Sequence, residues 1–304
     1  MTKLRRILVV GGQGQVGLEL ARTQLPAGYE LVCPGREELD MTSEHSICAY
    51  LAQGEWAAII NCAAWTAVDL AEDHATQAFL VNCHGPAVLA ETANRIGIPI
   101  VQLSTDYVFD GDLTRPYRET DPTAPLGVYG ASKLAGELAV GCINARSVIL
   151  RTAWVISAQR TNFLKTMLRL GESNSSLRVV ADQHGCPTSA ADIASTAIAI
   201  ARRLIEDPRA PTGTYHFVNA GEATWFELAQ QIFALASARG GPGPEVIPIT
   251  TADFPTRVRR PANSRLDTAK LTADYQIVPR HWHGAVAEII AEIVSPDQQR
   301  SASQ

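Results

Sequence analysis

The chain has 304 residues, 46% of them hydrophobic and 19% charged, with a formal net charge of -5. That size and balance fit one large or two interlocked domains with a substantial core. No apolar run approaches the roughly 20 residues of a membrane span, and Lys and Arg are scattered rather than gathered in a basic stripe, so neither a membrane nor nucleic acid is expected as a partner.

At the N-terminus a short apolar run, Arg6-Ile7-Leu8-Val9-Val10, leads straight into Gly11-Gly12-Gln13-Gly14-Gln15-Val16-Gly17. The order reads as strand, tight turn and helix. Gly11, Gly14 and Gly17 let the chain turn sharply, bring backbone N–H groups close to a pyrophosphate and pack the helix on the strand, while the helix start favours the anion. Lys3, Arg5 and Arg6 ahead of the run do not make it a secretory leader, because the run is too short and glycine breaks it.

Further apolar strands are expected at 30–33, 57–60, 99–103 and 147–150, separated by helices at 43–53, at 71–96 with a break near Gly85-Pro86, and at 128–142. This alternation predicts an α/β fold of Rossmann type, a doubly wound parallel sheet with helices on both faces. After Trp154 the rhythm loosens. Helices at 162–170, 190–206, 225–237 and 283–294, strands at 214–218 and 246–249, and a loop at 240–244 predict a smaller α/β domain. We place the first domain at 1–153 with 182–212 and the second at 154–181 with 213–294, and read 295–304 as a disordered tail. Cysteines at 33, 48, 62, 83, 142 and 186 form no C-x-x-C pair and read as buried free thiols of a reducing compartment, hence a cytoplasmic protein. His281 and His283 flank Trp282 with no further His or Cys at metal spacing, so no metal is expected.

In a doubly wound fold the ligand lies beyond the carboxyl ends of the strands. After the second strand, Cys33-Pro34-Gly35-Arg36 offers no acidic residue for a ribose 2′-OH, and Arg36 suits a 2′-phosphate, which favours NADPH over NADH. After the third, Ala63 and Ala64 are small enough for a cofactor to lie on the backbone. After the fourth, Ser104-Thr105-Asp106-Tyr107 ends in hydroxyl groups that can donate to a substrate carbonyl. Tyr129-Gly130-Ala131-Ser132-Lys133 then places a phenol and an ammonium one helical turn apart on one face, where the ammonium favours the phenolate and brings proton transfer within reach.

These segments, together with Leu39-Asp40-Met41-Thr42, Arg151-Thr152-Ala153-Trp154-Val155, Asp182-Gln183-His184-Gly185-Cys186-Pro187-Thr188 and Arg260-Pro261-Ala262-Asn263-Ser264-Arg265-Leu266, make the chain resemble the extended short-chain dehydrogenase/reductase superfamily over nearly its whole length. Within it the chain looks like the dTDP-4-dehydrorhamnose reductases. The resemblance implies a Rossmann domain holding NADPH, with NADH also accepted, a second domain holding a dTDP-sugar, and reduction of a 4-keto group. It implies that Thr105 hydrogen-bonds the C4 carbonyl, Tyr129 protonates its oxygen, and Lys133 holds the nicotinamide ribose and lowers the Tyr129 pKa. Gly11, Gly14, Gln15, Val16 and Gly17 would line the phosphates, Arg36 the adenosine phosphate, Asp40 and Met41 the adenine, and Ala63 and Ala64 the middle of the cofactor. Thr66, Tyr107 and Trp154 would meet the sugar nucleotide, with Asp106 beside them as a hydrogen-bonding residue at the strand end.

Arg257-Val258-Arg259-Arg260 and Arg265 form a candidate diphosphate clamp, with Arg260 and Arg265 favoured by the motif they share. Asp182 and Asp192 read as structural or capping residues. Sugar-nucleotide 4,6-dehydratases carry Thr-Asp-Glu where this chain has Thr105-Asp106-Tyr107, and the missing carboxylate argues against dehydration. Epimerases keep the same Tyr and Lys. Reduction from the opposite face would give another 6-deoxy sugar such as a talose, and the regulatory subunit of methionine adenosyltransferase resembles the same family without acting as a reductase. Gln15 stands where certain relatives have a carboxylate near a metal, so no metal requirement is expected, and the chain is read as a monomer or homodimer.

Overall fold

The computed structural model describes residues 4–294, so the tail expected at 295–304 lies outside the described residues. Strands β1 (Arg5–Val10), β2 (Tyr29–Val32), β3 (Ala58–Asn61), β4 (Ile100–Thr105) and β5 (Ser147–Thr152) join Gly213–His216 in a six-stranded sheet. All of its pairings are parallel, in the order 213–216, β5, β4, β3, β1, β2. The helices are α1 (Gln15–Arg22), α2 (Glu44–Ala52), α3 (Val68–Ala71), α4 (Ala75–Phe79), α5 (Gly85–Arg95), α6 (Val128–Ile143), α7 (Phe163–Gly171), α8 (Ala190–Glu206), α9 (Trp225–Ser237), α10 (Ala269–Tyr275) and α11 (Trp282–Ile293).

Side chains alternate across the pleat and fill two layers. Ile7, Val9, Ile60, Val101 and Leu150 pack with Leu20 of α1 and Ile193 and Ile200 of α8 on one face. Leu8, Val10, Ile59, Ile100 and Ile149 pack with Ile47 of α2, Leu89 of α5 and Val140 of α6 on the other. Burial on both faces is why these strands read as unbroken apolar runs. A separate core lies in the second lobe, where α7, α9 and α11 contribute Leu164, Leu228, Ile232, Val286 and Ile290. Beside it Ser176–Val180 pairs in parallel with Glu245–Ile249.

Three expectations need correction. The strand Gly213–His216 hydrogen-bonds to β5, so it belongs to the main sheet rather than to the second domain, and the boundary drawn between 212 and 213 falls one strand too early. The helix expected at 71–96 does not break at Gly85-Pro86; the interruption lies at 72–74, and Leu80–His84 is a π-helical turn that runs on into α5. Pro86 has no N–H for the Asn82 carbonyl, and the wider turn accommodates that loss. The freed carbonyl faces Gly136 of α6, where a Cβ would come within 2.0 Å of it. The six cysteines are free, but of these Cys186 alone is buried and Cys142 is exposed.

Beneath the sheet's carboxyl edge, Arg151 of β5 and Glu137 of α6 form a buried ion pair, Nη2 to Oε2 at 2.6 Å and Nε to Oε1 at 2.9 Å, with side chains 6% and 4% exposed. His216 is buried nearby, and burial together with the Arg151 charge holds its imidazole down at about 3. Removing one partner of such a pair leaves the other charge buried and unmatched. Glu137→Ala is therefore expected to cost about 3–5 kcal/mol in equilibrium urea unfolding, with part of the loss recovered in Glu137→Leu/Arg151→Met. A single-variant loss below about 1 kcal/mol, the range of exposed pairs, would contradict this assignment.

Candidate active site

Because β1 lies between β2 and β3, the chain reverses its winding direction there and opens a crevice at the carboxyl ends of the strands. A cleft of about 680 Å³ occupies this place, a size suited to a small-molecule ligand. Its floor is the glycine turn. A Cβ on Gly17 would lie 2.3 Å from the Gly11 carbonyl oxygen, and one on Gly11, whose φ is 81°, would lie 2.5 Å from the Ala63 nitrogen. No side chain fits at either position, so the turn stays flush with the end of β3. Gly14 caps α1 without a side-chain acceptor, which leaves the first-turn N–H groups open toward the cleft, where an anion would satisfy them. These residues fit a dinucleotide cofactor.

Of the residues expected to bind a cofactor, Gly11, Gly14, Gln15, Val16, Gly17, Arg36, Asp40, Met41, Ala63 and Ala64 all line this cleft. Asp40 also accepts the N–H and hydroxyl of Thr42, and the N–H bond is the largest of the effects that hold its carboxyl below the usual range. Asn61, wholly buried at the end of β3, accepts the Ala63 N–H at 3.0 Å and donates to Gln102 at 2.7 Å, which fixes the wall on which Ala63 and Ala64 stand.

The chemical groups occupy the adjoining wall, where Thr66, Thr105, Asp106, Tyr107, Tyr129, Lys133 and Trp154 also line the cleft. Thr105 ends β4; its hydroxyl donates to Asp106 Oδ1 at 3.0 Å and accepts the Tyr107 N–H at 3.2 Å. Tyr129 lies in the first turn of α6, edge-on to Tyr107 with ring centroids 5.4 Å apart. Lys133, one turn later, donates from Nζ to the Leu103 carbonyl of β4 at 2.7 Å. Burial pushes its ammonium down to about 8, opposed by Glu137 and Cys62. Burial pushes the Tyr129 phenol above its ordinary value, opposed by a hydrogen bond with Thr105. The expected lowering of the Tyr129 pKa by Lys133 is thus not what the protein alone produces: desolvation dominates, and the ammonium is directed at a backbone carbonyl. Asp106 is pushed up to about 6 by burial, against hydrogen bonds from Ser264 and Thr105.

Trp154 carries a left-handed backbone, φ 48°, and stacks on Trp225 with centroids 3.5 Å apart and planes at 9°. Arg260 stands with its guanidinium 6.0 Å from the Tyr107 ring centroid and is paired with Asp69. Arg265 does not reach this group: its nitrogens are taken by Asn263, Thr114 and Glu222. Neither arginine lines the cleft. In the same segment Arg257 pairs with Asp73 and Arg259 with Asp112. Asp182 accepts the Thr251 N–H and hydroxyl, and Asp192 accepts Asn219 and Arg280.

Two contributors escaped the sequence reading. Asn82, in the π turn, donates to Ser132 Oγ at 2.9 Å and to the Trp65 carbonyl at 3.1 Å and accepts the Trp65 N–H at 2.8 Å, tying the loop after β3 to the helix of Tyr129. Its signal was a lone polar residue in the apolar stretch Leu80-Val81-Asn82, just before Gly85-Pro86. Arg160 lines the cleft from the second lobe, and nothing local in sequence marks it.

Residues 5–295 match the family described as RmlD substrate binding domain. A dTDP-4-dehydrorhamnose reductase of Sinorhizobium fredii is 41% identical over 286 residues, covering 94% of this chain and 96% of that protein. One from Aggregatibacter actinomycetemcomitans is also 41% identical, covering 95% and 99%. The crystal structure of dTDP-4-dehydrorhamnose reductase from Bacillus anthracis in complex with NADP aligns with a TM-score of 0.88 at 33% identity, covering 95% of this chain and 99% of that one. The chain belongs to the dTDP-4-dehydrorhamnose reductase family.

Proposed function

We propose that this protein is an oxidoreductase that reduces the C4 keto group of dTDP-4-dehydro-β-L-rhamnose to dTDP-β-L-rhamnose with NADPH, the last step of dTDP-L-rhamnose biosynthesis. The observation that carries the reading is the gathering of Thr105, Tyr129 and Lys133 on one wall of the cleft whose floor is the glycine turn. When bound, the nicotinamide supplies a hydride to C4. Thr105 and Tyr129 donate hydrogen bonds to the C4 oxygen, and each positioned donor stabilises the charge that develops there by roughly 3 kcal/mol. Tyr129 then gives up its proton to that oxygen, and Lys133 lies one turn away to stabilise the phenolate left behind. Dehydration would need a second acid-base group where Tyr107 stands, and burial pushes that phenol up to about 12.

Arg36, beside Asp40, takes the adenosine 2′-phosphate, and Thr66, Tyr107 and Trp154 face the sugar nucleotide, with Arg260 set behind them at the Tyr107 ring. We assign the cofactor to residues 1–153 with 182–216 and the sugar nucleotide to 154–181 with 217–294. Free thiols suit a reducing compartment, and we place the reaction in the cytoplasm. Among the described residues no helix is long and apolar enough to cross a membrane.

Tyr129→Phe is expected to lower kcat on dTDP-4-dehydro-β-L-rhamnose by about 10²–10⁴ while NADPH binding, followed by fluorescence, is retained; unchanged turnover would remove the phenol from the mechanism. The Lys133 ammonium is charged below its folded pKa and loses its charge above it, so turnover should fall as pH rises through about 8. Lys133→Arg, charged throughout, should flatten that limb, and a limb that persists would have another origin. Arg36→Ala should reduce the preference for NADPH over NADH by at least about tenfold, as expected for losing a charged hydrogen bond. An unaltered ratio of kcat/KM values would place the 2′-phosphate elsewhere.

A further inference from the structure

Between the short strand Val155–Ile156 and α7, the second lobe sends a segment across the glycine turn. Three of its side chains fasten it there. Ser157 Oγ donates to Glu19 Oε1 at 2.9 Å, Arg160 Nε to the Gln13 carbonyl at 2.8 Å, and Asn162 Nδ2 to Gln15 Oε1 at 2.9 Å. Gln13 lies in the turn itself, and Gln15 and Glu19 lie on α1. Arg160 adopts a left-handed backbone, φ 58°, a conformation that costs a non-glycine residue and persists only where its surroundings impose it. It brings the guanidinium to the wall of the same cleft. Among the described residues, Nε carries the hydrogen bond to Gln13, and no hydrogen bond or ion pair occupies the two terminal nitrogens.

A guanidinium held at its Nε and open at both Nη atoms is oriented to receive an anion, and its planar fork matches phosphate oxygens. On the floor of the cleft the open N–H groups of α1 favour negative charge as well. We propose that Arg160 is a cofactor-binding residue supplied by the second lobe, its terminal nitrogens taking an oxygen of the dinucleotide's diphosphate as that group lies on the glycine turn. This rests on the NADPH reading above and adds to it a contact that crosses the domain boundary. Arg36 serves the other end of the cofactor, beside Asp40.

The two arginines are separated by calorimetric titration of the full chain with NADP⁺ and with adenosine 2′-phosphate, which lacks the diphosphate. Arg160→Gln should weaken NADP⁺ about tenfold, one hydrogen-bonded charge pair, and leave adenosine 2′-phosphate within about twofold, a result that also shows the nucleotide site to be folded. Arg160→Lys keeps the charge without the fork and should fall between. Arg36→Ala should weaken both ligands. NADP⁺ affinity of Arg160→Gln within about twofold of the parent, or equal weakening of both ligands, would overturn the assignment. Parent protein that binds adenosine 2′-phosphate but not NADP⁺ would overturn it too, and parent protein that binds neither would overturn the NADPH reading beneath it.

Discussion

Two charged side chains one turn apart on α6 anchor the helix to two different strands. Lys133 reaches the Leu103 carbonyl in β4, and Glu137 reaches the Arg151 guanidinium in β5. Both contacts are buried, and in a medium of low dielectric a misdirected charge is expensive, so the pair sets the helix in one position along the sheet. Tyr129 lies one turn ahead of Lys133 and inherits that position. Asn82 extends the arrangement by binding Ser132 on α6 and both backbone groups of Trp65 in the loop after β3. Tyr129, the proposed proton donor, and the loop after β3 are thereby parts of one hydrogen-bonded unit.

What could be read from the sequence follows from where the burial lies. β1, β3, β4 and β5 are buried along most or all of their length and read as apolar runs, whereas the edge strand β2 is half-buried with Glu30 exposed; α8 and α9 carry regular apolar stripes and begin and end where their patterns do, at 190–206 and 225–237. The strand Ser176–Val180 exposes Ser176 and Arg178, buries Val179 alone and follows the polar Glu172-Ser173-Asn174-Ser175, so it carries no comparable signal. The same limit applied at Gly213–His216, where the strand was visible but its sheet was not, because pairing with β5 is a long-range choice. In the site, residues held by local geometry were legible: the glycine turn, Thr105 at a strand end, and Tyr129 and Lys133 one turn apart. Arg160 was not, since its partner Gln13 is 147 positions away. Nor was the engagement of Arg265 by Thr114 and Glu222, which only the folded chain brings to it.

Desolvation shifts the ionisable groups of this wall toward neutrality. Burial raises Tyr129, Tyr107 and Asp106 and lowers Lys133. For a chain whose task were to hold a standing phenolate this would be a defect. The proposed reduction starts from the opposite state, a keto group waiting for a proton and a Tyr129 that still has one. As hydride adds to C4, the carbonyl oxygen becomes an alkoxide, and the same burial that disfavours charge on Tyr129 disfavours it there, so the oxygen draws the Tyr129 proton at the moment it is needed. The same low dielectric strengthens the Thr105 and Tyr129 hydrogen bonds as charge builds on that oxygen. In the proposed reaction Lys133 matters most after transfer, when it would turn from the Leu103 carbonyl toward the phenolate left in a buried site. For the proposed reduction the depth of the site and the α6 anchor act together: burial favours the protonated Tyr129, and Lys133, one turn away, is the cation assigned to limit the cost of giving that proton up.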